Sequence, residues 1–177
     1  MTIEQKIALL FQMDDETWAR HANPLSVWTR TTTLLLLIIA FWSRAWIGLW
    51  SLIPIAGAII WTWVNPRLFP KPKSTNNWAS MGVLGERVWL NRTNIPVPEH
   101  HRIVPNILSS LSGIGALFVI WGVYTLSVWP TLFGSALIYL SKLWFLDRMV
   151  WIYRDMKDKT PGYASWLYDT DIDTDKE

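Results

Sequence analysis

Eight side chains carry most of the chemistry available to this sequence: His21, Asn23, Arg30, Glu86, Arg87, His100, His101 and Asp147. Arginine presents a planar fork of donors that suits phosphate or carboxylate, so Arg30 and Arg87 would hold an anionic group. A histidine beside them could act as acid or base near neutral pH. Neutral imidazoles with Glu86, Glu99 or Asp147 could instead hold zinc or iron through nitrogen and oxygen. His21, His100 and His101 are the candidates for that role, but their spacing offers it little support. His100 and His101 are adjacent, so in a helix or strand their rings diverge, and only a loop could converge them. No H-x-x-H, H-x-x-x-H or H-E-x-x-H string occurs. Histidines bonded to phosphate, backbone or water at an interface explain the same pattern. No cofactor is indicated.

Several classes are disfavoured outright. The chain has no cysteine, which removes disulfides, thiolate metal sites and thiol catalysis. No serine lies in a G-x-S-x-G elbow, and no glycine-rich phosphate loop is present. The basic residues are scattered along the edges of apolar stretches, which suits anionic lipid headgroups better than nucleic acid.

The elements that position these groups follow from composition. Apolar residues make up 51% of the chain, charged residues only 17%, and there are 14 tryptophans among 177 residues. Trp favours membrane–water boundaries, where the ring is half buried and its N–H stays wet. The sequence therefore predicts an all-α protein, a four-helix transmembrane bundle with peripheral amphipathic helices on its cytoplasmic face. Residues 1–168 form one membrane domain, followed by an acidic, disordered tail over 169–177. Spans are expected at 24–43, 45–64, 106–127 and 130–149, joined in the middle by a polar connection over 65–105.

Asn23-Pro24 supplies an N-cap and a first-turn proline for the first span. Arg30 must lie inside that span, because the uncharged part alone falls short of the ~20 residues a bilayer core requires. Arg44 ends it, Pro54 is a candidate kink in the second span, and Asn65-Pro66 stops that one. Gly113, Ala116 and Gly122 offer close helix packing in the third. Val128-Trp129-Pro130 reads as the next tight turn. Ile3, Ile7, Leu10 and Phe11 suggest an amphipathic N-terminal helix, and Leu84, Val88 and Trp89 a short interfacial one.

Every Lys and Arg except Arg44 falls in residues 1–30, 65–106 or 142–177. Four spans put these three regions on one side, which the positive-inside rule makes cytoplasmic. Both termini are then cytoplasmic, in the inner membrane of a cell. The polar residues map to that same end. Opposite charges at membrane depth should pair, and Arg30 with Asp147 is the expected pair.

The string His21-Ala-Asn23-Pro24-Leu-Ser26-Val-Trp28-Thr29-Arg30 resembles a family of small, uncharacterised prokaryotic multi-pass membrane proteins. So do Trp42-Ser43-Arg44-Ala-Trp46-Ile-Gly48, Trp63-Val-Asn65-Pro66-Arg67 and Gly85-Glu86-Arg87-Val-Trp89-Leu-Asn91-Arg92. Pro98-Glu-His100-His101 and Asp147-Arg148-Met149-Val-Trp151 extend the likeness over most of residues 18–157. The resemblance implies a membrane protein and supplies no activity or catalytic residue.

Two functions are compatible with these residues. One is a polar site at the cytoplasmic membrane interface, built from the eight side chains, for a lipid headgroup or an amphipathic small molecule. The other is a non-enzymatic accessory subunit of a larger membrane complex, or of a homo-oligomer, packing through its Trp-rich helices. The first requires the polar side chains to converge in one pocket, and the second leaves them dispersed.

Overall fold

The computed structural model describes residues 13–170, and its regular elements are all helical. Helices α1 (Asp15–His21), α2 (Pro24–Thr31), α3 (Thr33–Trp42), α4 (Arg44–Ile47) and α5 (Leu52–Leu68) make up the first part. After them come α6 (Trp78–Leu90), α7 (Ile103–Tyr124), α8 (Val128–Met156) and the one-turn α9 (Pro161–Ala164). The apolar positions expected to form an N-terminal helix, Ile3 to Phe11, and most of the acidic tail lie outside the described residues.

Two hairpins organise the chain. In the first, Asn23 accepts a hydrogen bond from the Leu25 N–H and opens α2, with Pro24 as its first residue. The chain then runs through α3 and α4 to Gly48, where it reverses. The sequence places this reversal at Arg44. Gly48 takes it because its backbone lies at φ 54°, a conformation that costs glycine little. Helix α5 returns along α3, and Asn65-Pro66 does not stop it. Pro66 sits inside its last turn. Asn65 is fully buried and ties the limbs together, its amide donating to Thr29 Oγ1 (2.9 Å) and its carbonyl accepting from Ser26 Oγ (3.2 Å).

The second hairpin, α7 and α8, is packed backbone to backbone. A Cβ on Gly115 would lie 2.9 Å from the Gly134 carbonyl oxygen, and one on Gly122 would collide with Thr131. Gly122 thus has the packing role its sequence position suggests, whereas Gly113 faces open space. The turn falls at Thr125–Ser127, with Leu126 at φ 53°, so Val128-Trp129-Pro130 forms the first turn of α8 rather than the connection.

Among the described residues, two helical stretches are long and apolar enough to cross a membrane, Pro24–Leu68 and Glu99–Tyr124. Only 11% and 22% of their most apolar windows is buried inside the protein. A soluble protein's core helix would be mostly buried, so these stretches are not the core.

The core lies at the basic end instead. The segment around Leu84, Val88 and Trp89, expected to lie on a surface, is the most buried of the described helices. It packs on the far half of α8 through Leu146, Met149, Val150 and Tyr153. Ala79, Gly82 and Gly85 recur every third residue and strip one face of α6 of bulk. A Cβ at Gly85 would overlap the Met149 carbonyl. The C-terminal segment straps this core shut. Tyr153, whose phenol burial pushes up to about 12, donates to the Tyr163 carbonyl (2.9 Å). The Thr75 N–H donates to the Tyr168 carbonyl, the Tyr168 N–H donates to Thr75 Oγ1 (2.9 Å), and Thr170 Oγ1 donates to the Lys73 carbonyl (2.6 Å).

Gly85→Ala should therefore cost about 1–3 kcal/mol by overpacking. Gly113→Ala, in open space within a helix, should be neutral or stabilise by about 0.5–1 kcal/mol. Thermal unfolding of the two variants in detergent checks this, and equal melting temperatures would contradict the packing described.

Candidate functional site

Four helices deliver a polar side chain to one point. His21 is the last residue of α1, and Arg30 lies in the last turn of α2. Glu86 projects from α6, and Lys142 from the middle of α8. An Arg30 N–H donates to His21 Nε2, and the Arg30 guanidinium stands 4.0 Å from Glu86 Oε2. Lys142 Nζ donates to the other Glu86 oxygen at 2.5 Å. The Glu86 side chain is only 16% exposed.

Burial alone would raise the Glu86 carboxyl, but the Lys142 ammonium and the Arg30 guanidinium outweigh it and hold the group below its usual range. His21 is affected oppositely. Burial, then the positive charges of Arg30 and Lys142, push its imidazole well below the ordinary value. Near pH 7 it is neutral, and its Nε2 accepts from Arg30. The cluster then holds two cations, one carboxylate and one neutral ring, leaving a single excess positive charge.

These groups line a cavity of about 410 Å³. Trp18, Trp89 and Phe145 give it aromatic walls, Thr62 and Pro66 enter from α5, and Ser109, Ser112 and Ser141 add hydroxyls from α7 and α8. Both hairpins meet here, so the cavity opens where they join the basic core.

The other candidate residues go elsewhere. Asn23 caps α2 and donates to the Pro70 carbonyl (3.0 Å), a structural duty. Arg87, one residue from Glu86, points about 100° away; it pairs with Asp15 and lies 4.0 Å over the Trp166 ring. Asp147 accepts from Trp78 Nε1 (3.3 Å) and stands 3.9 Å from Arg148. The expected Arg30–Asp147 pair is therefore replaced by Arg30 with His21 and Glu86. Asp147 follows Lys142 by five residues, about 140° around the helix, so when Lys142 faces the cavity Asp147 faces the start of α6. Lys142 completes the site, and its sequence signal is a lone cation in the otherwise apolar run from Leu132 to Leu146.

His100 and His101 form a separate cluster. They fall in a 3-10 turn, Glu99–His101, which brings their rings to 4.1 Å between centroids. Both face Asp155, at 3.4 Å for His100 and 2.9 Å for His101. Hydrogen bonding from His101, partly opposed by burial, holds the Asp155 carboxyl below its ordinary range. His21 is not part of this group, so the three histidines share no metal site. His100, His101 and Asp155 could hold a divalent cation, since their donor atoms lie within 4.8 Å of one another. A cation on His101 Nε2 would put the proton on Nδ1, which is buried without a hydrogen-bond partner. Histidine ligands normally donate that proton to a second group. The surroundings better satisfy a ring whose Nε2–H donates to Asp155, anchoring the turn to α8.

The His21 environment sets a pH dependence. Its folded pKa lies below the free value of 6.5, so the unfolded chain takes up the proton first as the solution acidifies. The resulting stability is present above about pH 6.5 and is lost as the pH falls below it. The melting temperature in detergent should drop between pH 7.5 and 5.5. His21→Gln, which keeps an acceptor for Arg30, should flatten that slope, and an unchanged slope would refute the assignment.

Neither the curated proteins nor the solved structures contain a match to this chain. One family model does match, over residues 2–168, nearly the whole sequence. The chain belongs to the family of unknown function DUF6653.

Proposed function

We propose that this protein is a four-span membrane protein that binds an anionic headgroup in the His21–Arg30–Glu86–Lys142 cavity, at the cytoplasmic interface. The observation that carries the reading is the charge balance of the cavity: two cations against one carboxylate, among aromatic walls. An excess charge in a poorly hydrated site is costly until an anion offsets it. His21 cannot serve as a general base near neutrality, because its Nε2 already accepts from Arg30 and its pKa is depressed. Binding, rather than proton transfer, is the activity this geometry supports.

Surface composition supports the membrane setting. Leu35, Ile39, Ile60, Leu117 and Leu140 expose more than half their surface along both hairpins. Exposed tryptophans collect at two levels: Trp46, Trp50 and Trp129 near the Gly48 end, and Trp63, Trp144 and Trp151 near the basic end. Along α8, Trp129 stands roughly 22 Å from Trp144 and 33 Å from Trp151, a spacing that brackets a hydrocarbon core of about 30 Å. Two such belts flanking an apolar band suit a bilayer. Lys142, roughly 20 Å from Trp129 along the helix, then interrupts the fourth span within its cytoplasmic half, which accounts for α8 being less apolar than the other stretches. The accessory-subunit reading leaves the polar residues dispersed, as five of the eight are; the meeting of the other three, His21, Arg30 and Glu86, with Lys142 from four helices supports a site.

Two measurements test this. With no native cysteine, Ser74→Cys and Ser127→Cys can be labelled singly in intact cells by an impermeant thiol reagent. Ser127→Cys should react and Ser74→Cys should not, and the reverse pattern would overturn the orientation. For the site, the probe is glycerophosphoglycerol, a soluble phosphodiester headgroup, titrated onto detergent-purified protein by calorimetry. Arg30→Gln and Lys142→Gln should each weaken binding about tenfold, whereas Glu86→Gln, which releases both cations, should tighten it severalfold. Weaker binding by Glu86→Gln with the fold intact would refute the charge argument.

A further inference from the structure

The polar cavity ends at Arg30, Ser112 and Ser141. Close by on the same three limbs, Leu34, Ala116 and Ile138 begin a second cavity of about 390 Å³. Its remaining walls are apolar, including Leu37 and Phe41 of α3 and Val119 and Ile120 of α7. The residues step by three or four along each helix, so the second cavity continues the faces that line the first. It lies between the two hairpins, which touch little along this stretch. Between the two sets of lining residues, Tyr139 Oη donates to the Thr31 carbonyl (2.9 Å) and fastens α8 to the first limb. At the far end sits Arg44, already bonded to the Val123 and Tyr124 carbonyls. Ile120 is 65% exposed and Phe41 38%, so the slot is open along its side.

From this continuity we infer that the two cavities are one site for a phospholipid with a singly charged phosphodiester headgroup. The phosphate lies at Arg30 and Lys142, and one acyl chain occupies the slot between the hairpins. The inference rests on the headgroup reading above and adds the occupant of the slot. Charge matches, since one negative charge offsets the one excess cation. Arg30 to Phe41 spans about 16 Å along the helix, an apolar run long enough to take most of an extended acyl chain. A soluble anion would leave an apolar slot of that length empty beside it. The slot contributes little affinity within a bilayer, because lipid tails are already in surroundings as apolar as its walls. Selection comes from the headgroup, and the slot lets the attached tail follow it inward.

That division of roles gives a test in which the two readings fail differently. Full-length protein in detergent is titrated with dioleoyl phosphatidylglycerol, read by native mass spectrometry, and with glycerophosphoglycerol, read by calorimetry. Ala116→Phe fills the slot from α7, and Leu37→Trp fills it from the facing wall, so at least one folded variant should be obtained. Each should lose the lipid at least tenfold while binding the soluble headgroup as the wild type does. If the filled variants bind both probes unchanged, the slot holds no tail and this inference falls while the headgroup reading stands. If the wild type binds neither probe in an Arg30-dependent manner, the headgroup reading falls and takes the inference with it. Dioleoyl phosphatidylcholine, tested alongside, should bind at least tenfold more weakly than the anionic lipid; equal retention would refute the headgroup selection.

Discussion

The backbone of α6 lies against the backbone of α8, and the arrangement of the basic end depends on that approach. Gly85 makes it possible, since any side chain there would overlap the Met149 carbonyl. Glu86 is the next residue, so the contact fixes where the carboxylate emerges from the helix. One turn of α8 before Leu146, which packs beside Gly82, Lys142 reaches that carboxylate. A bulkier α6 face would push Glu86 away from Lys142 and leave Arg30 without its counter-charge. Glycines spaced for close packing thus decide an electrostatic arrangement, although none of them is polar.

The charged cluster works by mutual compensation. Glu86 alone would be driven toward its neutral form by burial, and Arg30 alone would be a cation poorly reached by water. Together with Lys142 they remain charged, and His21 gives up its own proton to serve as an acceptor for Arg30. This is why the ring closest to the cavity is a poor acid–base catalyst. Its surroundings are tuned to keep one charge state, whereas proton transfer needs a group balanced between two.

Much of the helical scaffold was legible because apolar runs, caps and turn residues are local signals. Asn23-Pro24 marks the start of α2, and a charged Arg30 inside the helix follows from length alone. The misjudged features were those decided by tertiary contacts. The 3.6-residue spacing of Leu84, Val88 and Trp89 reads equally as a surface helix or a core helix, and only the glycine face of α6 distinguishes them. Asn65-Pro66 looks like a stop, yet Pro66 falls in a last turn and Asn65 finds buried partners on α2. A shared level for Arg30 and Asp147 would not by itself pair them, because level says nothing about which way a helix is rotated. Of the eight residues singled out, His21, Arg30 and Glu86 share the cavity, because the rotation that brings Lys142 in turns Asp147 out. His100 and His101 converge as only a loop permits, on an aspartate whose position 54 residues later gave no local signal.

The two hairpins differ in how firmly they are held. Helices α7 and α8 are locked along their length by Gly115, Gly122 and Gly134, where the backbones leave no space for a methyl group. The first hairpin is instead pinned to them near its two ends. At one end Arg44 donates to the Val123 and Tyr124 carbonyls at the end of α7. At the other, Tyr139 of α8 holds the Thr31 carbonyl, and Arg30 meets Glu86, which Lys142 of α8 also holds. Between these pins the facing side chains are Leu34, Leu37, Ile38 and Phe41, which can adjust their packing without breaking a hydrogen bond. Fixed ends with an adjustable apolar middle permit the gap between hairpins to widen or narrow at little polar cost. The same pins keep Arg30 at a fixed depth, so the width of the slot can change without disturbing the charges beside it.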